Sequence, residues 1–274
     1  MLPNLIILGA MKAGTTALFR YLAMHPAVFG CKPKEPMYFS SRARVSCGLA
    51  WYESLFAGHG GEPVRLEAST TYTKHADSGI VAQRIFDTLP DVKLIYMVRS
   101  PIARMRSHHE HMVNRGVRKN LSEALEDSDE YVIPGCYFSR LASYVELFPS
   151  SQIHVISFDD FTAAPKEILR DICRYVDIDP APVDAFVRLK RQNGSREKLK
   201  SRVHQVGEGI LDFARGGPGV SEARKVAILN RFEAEQASLE KYLGRKMESW
   251  KLEEEFDALF SDRSVGTAWS GSPR

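Results

Sequence analysis

No stretch of this chain reaches the roughly 20 consecutive apolar residues that a membrane-spanning helix needs. The opening MLPNLIILGAMKAG has neither a basic leader nor a small-residue cleavage site. A cytoplasmic protein with no membrane partner is therefore expected. Cysteine is scarce: Cys31, Cys47, Cys136 and Cys173 include no CxxC pair and no metal-ligand spacing. That pattern argues against a disulfide framework or a structural zinc and fits reduced thiols. An excess of one charge is missing too. With 37 Lys and Arg against 34 Asp and Glu, the formal net charge is +3, and bulk charge gives no reason to expect a nucleic-acid partner. Internal repeats and low-complexity blocks are absent. What remains, 44% hydrophobic and 26% charged, is an ordinary globular composition. A chain of 274 residues suits one sizeable α/β core, expected over residues 1–260 with a flexible tail at 261–274.

Leu5 to Leu8 form a short continuous apolar run ending at Gly9, as in a strand buried on both faces. Leu18, Tyr21 and Leu22 then recur at helical spacing until His25-Pro26. Further strands are expected at Val64 to Glu67, Val92 to Val98 and Gln152 to Ser157. Helices are expected at Ile80 to Thr88, Ile102 to Arg115, Leu121 to Glu130, Phe138 to Phe148, Pro165 to Val176 and, with Ser221 as N-cap, Ser221 to Leu243. Strands alternating with helices predict a doubly wound, mostly parallel sheet flanked by helices, of the P-loop type. Arg188 to Arg202 is a basic surface segment in which Glu197 is the one acid.

Gly9-Ala-Met-Lys-Ala-Gly-Thr-Thr16 lies between a buried strand and the first turn of a helix. That position offers unpaired backbone N–H groups and the positive end of a helix dipole to an anion. The pattern departs from the GxxxxGK[ST] loop of ATP- and GTP-using proteins: Thr15 fills the lysine slot and the lysine has moved to Lys12. The strand ending at Val98 is followed by Arg99 rather than by an Asp that could help hold Mg²⁺. Both changes favour an anion met by cationic side chains over a metal–nucleotide complex, and no metal site is expected.

These residues resemble a known family. Lys12-Ala-Gly-Thr-Thr16 is similar to the 5′-phosphosulfate loop of sulfotransferases that use 3′-phosphoadenosine 5′-phosphosulfate (PAPS). Arg99-Ser-Pro101 followed by Ser107 is similar to their 3′-phosphate motif. Lys32-Pro-Lys-Glu-Pro-Met-Tyr-Phe39 resembles a segment of the carbohydrate (heparan-sulfate-type) branch and its bacterial relatives. The likeness runs with interruptions from residue 4 to about residue 180. It implies that Lys12 stabilises charge on the leaving 5′-phosphate, while Ala13, Gly14, Thr15 and Thr16 bind that phosphate. It implies that Arg99 and Ser107 recognise the 3′-phosphate, with Tyr137 near it; the basic segment, read as part of a wall of the nucleotide site, is expected to bring Asn193, Ser195 and Arg196 near the same phosphate. Glu35 is implied as the general base. The branch acting on phenols and steroids uses a histidine, and His75, His108, His109 and His111 keep that alternative open. The expected donor is PAPS, with 3′,5′-adenosine bisphosphate (PAP) as product. The expected acceptor is a hydroxyl or amine of a sugar-containing or secondary-metabolite molecule.

Glu67-Ala-Ser-Thr-Thr-Tyr72 resembles the family's E-x-S-x-x-Y segment, expected to line the acceptor cleft, with Ala68 where many relatives carry Lys. His108, His109 and His111 are read as part of a polar helix face near the donor, since neighbouring helical positions point apart and nothing completes a metal set. Two other classes share parts of the pattern: a Mg-ATP-dependent P-loop kinase, and a non-catalytic nucleotide- or polyanion-binding protein.

Overall fold

The computed structural model describes residues 1–74, 78–185 and 219–261. Its centre is a run of residues that have no polar face. In β1 (Leu5–Gly9) every residue is buried, and in β4 (Lys93–Val98) every residue after Lys93 is. Such strands are stable only with layers on both sides, which forces a parallel arrangement covered by crossover helices. β3 (Val64–Ala68) pairs with β1 in parallel, Ile6 opposite Glu67 and Ile7 opposite Ala68. β4 flanks β1 on its other side. The short β2 (Val28–Gly30) and β5 (Ile153–Ser157) close the two edges. All pairings are parallel and the order is β2-β3-β1-β4-β5.

Helices flank this sheet. α1 (Thr15–Leu22) buries Leu18, Phe19 and Leu22 and packs against β1, β2 and β3. Two short helices, α2 (Arg42–Val45) and α3 (Gly48–Ser54), follow. α4 (Ser78–Thr88) packs on a later helix, α7 (Tyr137–Leu147). Between them lie α5 (Pro101–Val113), begun by the N-cap Ser100 with Pro101 in its first turn, and α6 (Leu121–Asp127). α8 (Phe158–Ala163) and α9 (Pro165–Tyr175) follow β5. α10 (Glu222–Leu243), capped by Ser221 as the sequence predicts, lies on α7, and α11 (Leu252–Ser261) lies on α5. Among the described residues no helix is long and apolar enough to cross a membrane.

The sequence predicts four strands and the sheet has five. β2 spans three residues, too few for a periodic signal, and exists through its pairing with β3. Residues 40–61, for which the sequence predicts no element, contain α2 and α3. The basic run 188–202 and the tail after 261 lie outside the described residues.

The chain moves from β1 out to β2 and β3, then returns to the other side of β1 for β4 and β5. The topological switch therefore falls at β1, and a ligand of an open α/β sheet binds outside the carboxyl ends of the strands at that point.

Candidate functional site

Five chain segments leave the carboxyl edge of the sheet, and Lys12 to Thr16, Glu35 and Arg99 sit on three of them. Residues 10–14 follow β1, held to β4 by the Ala10 N–H donating to the Met97 carbonyl at 2.6 Å. At their end Gly14 is the N-cap of α1 with φ +91°. A Cβ there would fall 2.6 Å from Cδ2 of Phe158, so the position is closed to side chains by conformation and by contact. Gly14 brings no side chain to cap α1, which leaves the first-turn N–H groups of Thr15 and Thr16 for an anion. Ala13 and Thr15 are buried and Thr16 is exposed. Lys12 has φ +68°, an unusual conformation for a lysine. Burial pulls its ammonium below the ordinary lysine range; Glu110 opposes that shift and Arg99 adds to it. Among the described residues no carboxylate forms an ion pair with it, and a partly desolvated cation so placed suits charge that appears on a bound ligand.

Arg99 follows β4. Its guanidinium lies over the Phe158 ring, 4.8 Å from the centroid, and donates from Nη1 to the Lys12 carbonyl at 3.5 Å. The two candidate phosphate-binding segments are thus in contact through Arg99. Ser107 lies two turns further along α5 and lines, with Arg99, Arg106 and Glu110, a cleft of about 360 Å³. The opposite wall is α11, through Glu255, Ala258 and Leu259. The Glu255 carboxylate accepts from the Ser100 hydroxyl and from the Lys251 N–H. Residues fit for a phosphate and two carboxylates therefore share one cleft.

Glu35 lies on the segment after β2, about one-third exposed, paired with Lys34 Nζ at 2.7 Å and accepting from the Thr70 hydroxyl at 3.3 Å. Thr70 begins the short turn after β3. Glu67, expected to line a cleft, is instead fully buried beneath this segment, as are Ala68, Ser69 and Tyr72. The strands β1 and β2 beside β3 and the segment above enclose Glu67 and, just past the strand, Ser69.

Tyr137 is 1% exposed and packs against Tyr96 and Trp250, forming floor rather than open surface. The reading of a polar histidine face is corrected: His108 and His109 are buried against Tyr131, and only His111 stays partly open. Burial, and then the cation of Arg104, pushes His108 down to about 3. Arg104 is fully buried, with Nη2 donating to the Tyr131 carbonyl. Ser195, Arg196 and His75 lie outside the described residues. Sequence reasoning missed Phe158, which signals only as the first residue after a strand, and Glu255, whose place depends on how α11 docks. Among the described residues no group of three or more His, Cys, Asp or Glu could hold a metal ion.

A parallel sheet of this order, with an anion-binding loop at its switch point and an arginine at the end of the next strand, defines a P-loop-like α/β protein. The family model described as "Sulfotransferase domain" matches residues 2–225, and the chain belongs to that family. Among curated proteins it is 23% identical over 275 residues to a bifunctional heparan sulfate N-deacetylase/N-sulfotransferase 1 of Caenorhabditis elegans, covering 92% of this chain and 31% of that protein. It is 26% identical over 192 residues to human heparan sulfate glucosamine 3-O-sulfotransferase 5, covering 65% of this chain and 54% of that one. The chain thus spans about half or less of the length of these relatives. Among solved structures, a sulfotransferase from Alicyclobacillus acidocaldarius superposes with a TM-score of 0.69 at 23% identity, over 91% of this chain and 99% of that one. A mouse sulfotransferase complexed with PAP gives 0.55 at 14% identity, with 88% of each chain covered. These likenesses establish the fold.

Proposed function

We propose that this protein transfers the sulfuryl group of PAPS to a hydroxyl, or an amine, of a sugar-containing or secondary-metabolite acceptor. The observation that carries this reading is the contact between the two donor segments: Arg99 reaches the carbonyl of Lys12 while Ser107 opens on the same cleft. A nucleotide with phosphates on both its 3′ and 5′ sides needs two anion sites that close together. A nucleoside triphosphate needs one contiguous phosphate run with a metal, and the end of β4 carries Arg99 where such proteins place an acid. Membership of the sulfotransferase family supports the same reading. The heparan sulfate relatives support a carbohydrate acceptor, and the mouse relative complexed with PAP supports the donor.

In this mechanism Thr15 and Thr16 bind the 5′-phosphate through first-turn N–H groups and hydroxyls, with Gly14 and Ala13 shaping the loop around it. Arg99 and Ser107 hold the 3′-phosphate. The acceptor oxygen attacks sulfur in line; the new O–S bond forms as the bond between sulfur and the bridging phosphate oxygen breaks. Charge gathers on that leaving oxygen, where Lys12 stabilises it. The acceptor proton passes to Glu35, which stands at the neighbouring strand end with Lys34 and Thr70 orienting its carboxylate. Products are the sulfated acceptor and PAP. The test is transfer of labelled sulfate from PAPS across a panel of desulfated glycosaminoglycan oligosaccharides, phenols and amines, in wild type and Lys12→Ala. Label appearing on an acceptor, and lost in the variant, supports the reading; an inactive wild type across the panel favours the non-catalytic binding protein.

A further inference from the structure

Glu67 is a carboxylate with no exposure, and none of the lysines or arginines pairs with it among the described residues. Ser69 Oγ donates to its Oε1 at 2.7 Å, the Tyr52 hydroxyl donates to its Oε2, and the Tyr72 hydroxyl is also within hydrogen-bonding reach. Two of these three hydroxyls do a second thing. Ser69 Oγ accepts the Met37 N–H at 3.0 Å, and the Tyr72 hydroxyl accepts the Phe39 N–H at 3.5 Å. Both amides belong to the segment that carries Glu35.

A hydroxyl has one proton. A backbone amide only donates, so each hydroxyl takes an amide N–H on a lone pair while its one proton goes to Glu67, which links the carboxylate to both amides. An ionised carboxylate accepts everything and donates nothing, which is the one state that satisfies all three hydroxyls at once. The segment needs such holding: Met37 has φ +54°, a left-handed conformation for a residue with a side chain. Two further bonds bracket Glu35 from the same strand end, Ala68 N–H to the Lys34 carbonyl at 3.3 Å and the Thr70 hydroxyl to Glu35 itself.

We propose that Glu67 is a positioning residue for catalysis: through Ser69 and Tyr72 it holds the Glu35 segment in the geometry needed for proton abstraction. This rests on Glu35 being the base. A consequence follows from the group's surroundings. Burial pushes Glu67 up to about 7, against the hydrogen bonds of Tyr52, Ser69 and Tyr72, and the nearby Glu35 charge adds to the rise. The other ionisable groups facing this cluster are Cys31, itself raised by burial and by Glu67, Tyr144, raised by burial and then by Glu67, and Lys34, which is paired with Glu35. On protonation Glu67 becomes a donor, it can no longer accept from all three hydroxyls, and the hold of Ser69 and Tyr72 on the Glu35 segment weakens.

The experiment compares wild type, Glu35→Gln, Glu67→Gln and Ser69→Ala. Its readouts are PAP affinity, turnover of labelled PAPS with water as acceptor across pH 5 to 9, and amide hydrogen exchange at Met37 and Phe39. For Glu67→Gln the expected result is PAP affinity within about twofold of wild type and turnover lower by about 10- to 100-fold. Exchange at Met37 and Phe39 is expected to be faster, and the fall in activity below about pH 7 to be gone. Unchanged exchange at these amides, or an unchanged pH profile, overturns the proposal. If Glu67→Gln does not bind PAP, Ser69→Ala decides, with faster exchange at Met37 expected and unchanged exchange overturning. Wild-type turnover in Glu35→Gln removes the base assignment and this inference with it. An inactive Glu35→Gln beside an unaffected Glu67→Gln removes this inference alone.

Discussion

Lys12 and His108 are both cations in principle, and the fold treats them oppositely. Lys12 sits partly desolvated beside Arg99, where the proposed donor would bring its anion. Lys12→Ala should therefore lower sulfuryl-transfer turnover by roughly 10²- to 10³-fold, the scale of one lost transition-state charge contact, while PAP affinity falls far less. Steady-state kinetics beside calorimetry separates the two effects. His108 is held neutral in the core, to about 3. Its folded-state value is depressed, so the unfolded chain binds a proton that the native chain refuses, and stability drops as pH falls from about 6.5 toward 3. Glu67 has the opposite sign. Its value is raised to about 7, so the native chain holds an extra proton between about 4.5 and 7 and stability drops as pH rises through that window, by about 3 kcal/mol in all. Where the windows overlap the two slopes cancel. His108→Gln should expose the Glu67 slope: stability from urea titration falling with rising pH between 5 and 6.5 by up to about 1.4 kcal/mol per pH unit. A profile as flat as that of wild type would contradict the assignment.

Short connections at strand ends carry the candidate chemistry, and their tolerance is narrow. Gly14→Ala puts a side chain at φ +91° and against Phe158. A loss of about 2–4 kcal/mol is expected, seen as a lower urea midpoint with unchanged slope. At the other wall of the cleft, Glu255 places a carboxylate beside the start of α5, the helix that carries Ser107 and that Arg99 precedes. Glu255→Gln keeps a hydrogen-bond acceptor for Ser100 and removes the charge. PAP affinity should rise about fivefold at low salt, and less at high salt. These elements were unequally legible in the sequence. β1 and β4 announce themselves because strands buried on both faces are continuous apolar runs. β2 and α11 depend on partners far away in the chain, β3 for the one and α5 for the other. Glu67 was legible as a residue of interest but not as a buried one, since a strand's sequence shows alternation and not what lies above it.

On the scale of the whole molecule, the site exists because a parallel sheet gathers its carboxyl ends on one edge. Residues 12, 35, 70, 99 and 158 are far apart in sequence, and the segments after five different strand ends bring them together. That is why Lys12 to Thr16, Arg99 and Ser107 could be found as local motifs, each lying just past a predicted strand, whereas the Arg99 contact with Phe158 and the support of Glu35 from β3 could not. Sheet order also explains why the donor segments touch: β1 and β4 are direct neighbours. The central claim is that this edge holds a nucleotide with phosphates on both its 3′ and 5′ sides and needs no metal to do so. Calorimetric titration with PAP in the presence of EDTA, beside 5′-AMP and Mg-ATP, tests it most directly. The account predicts PAP binding much tighter than 5′-AMP and weakened roughly 100-fold in Arg99→Ala; preference for Mg-ATP with no response to PAP would contradict it.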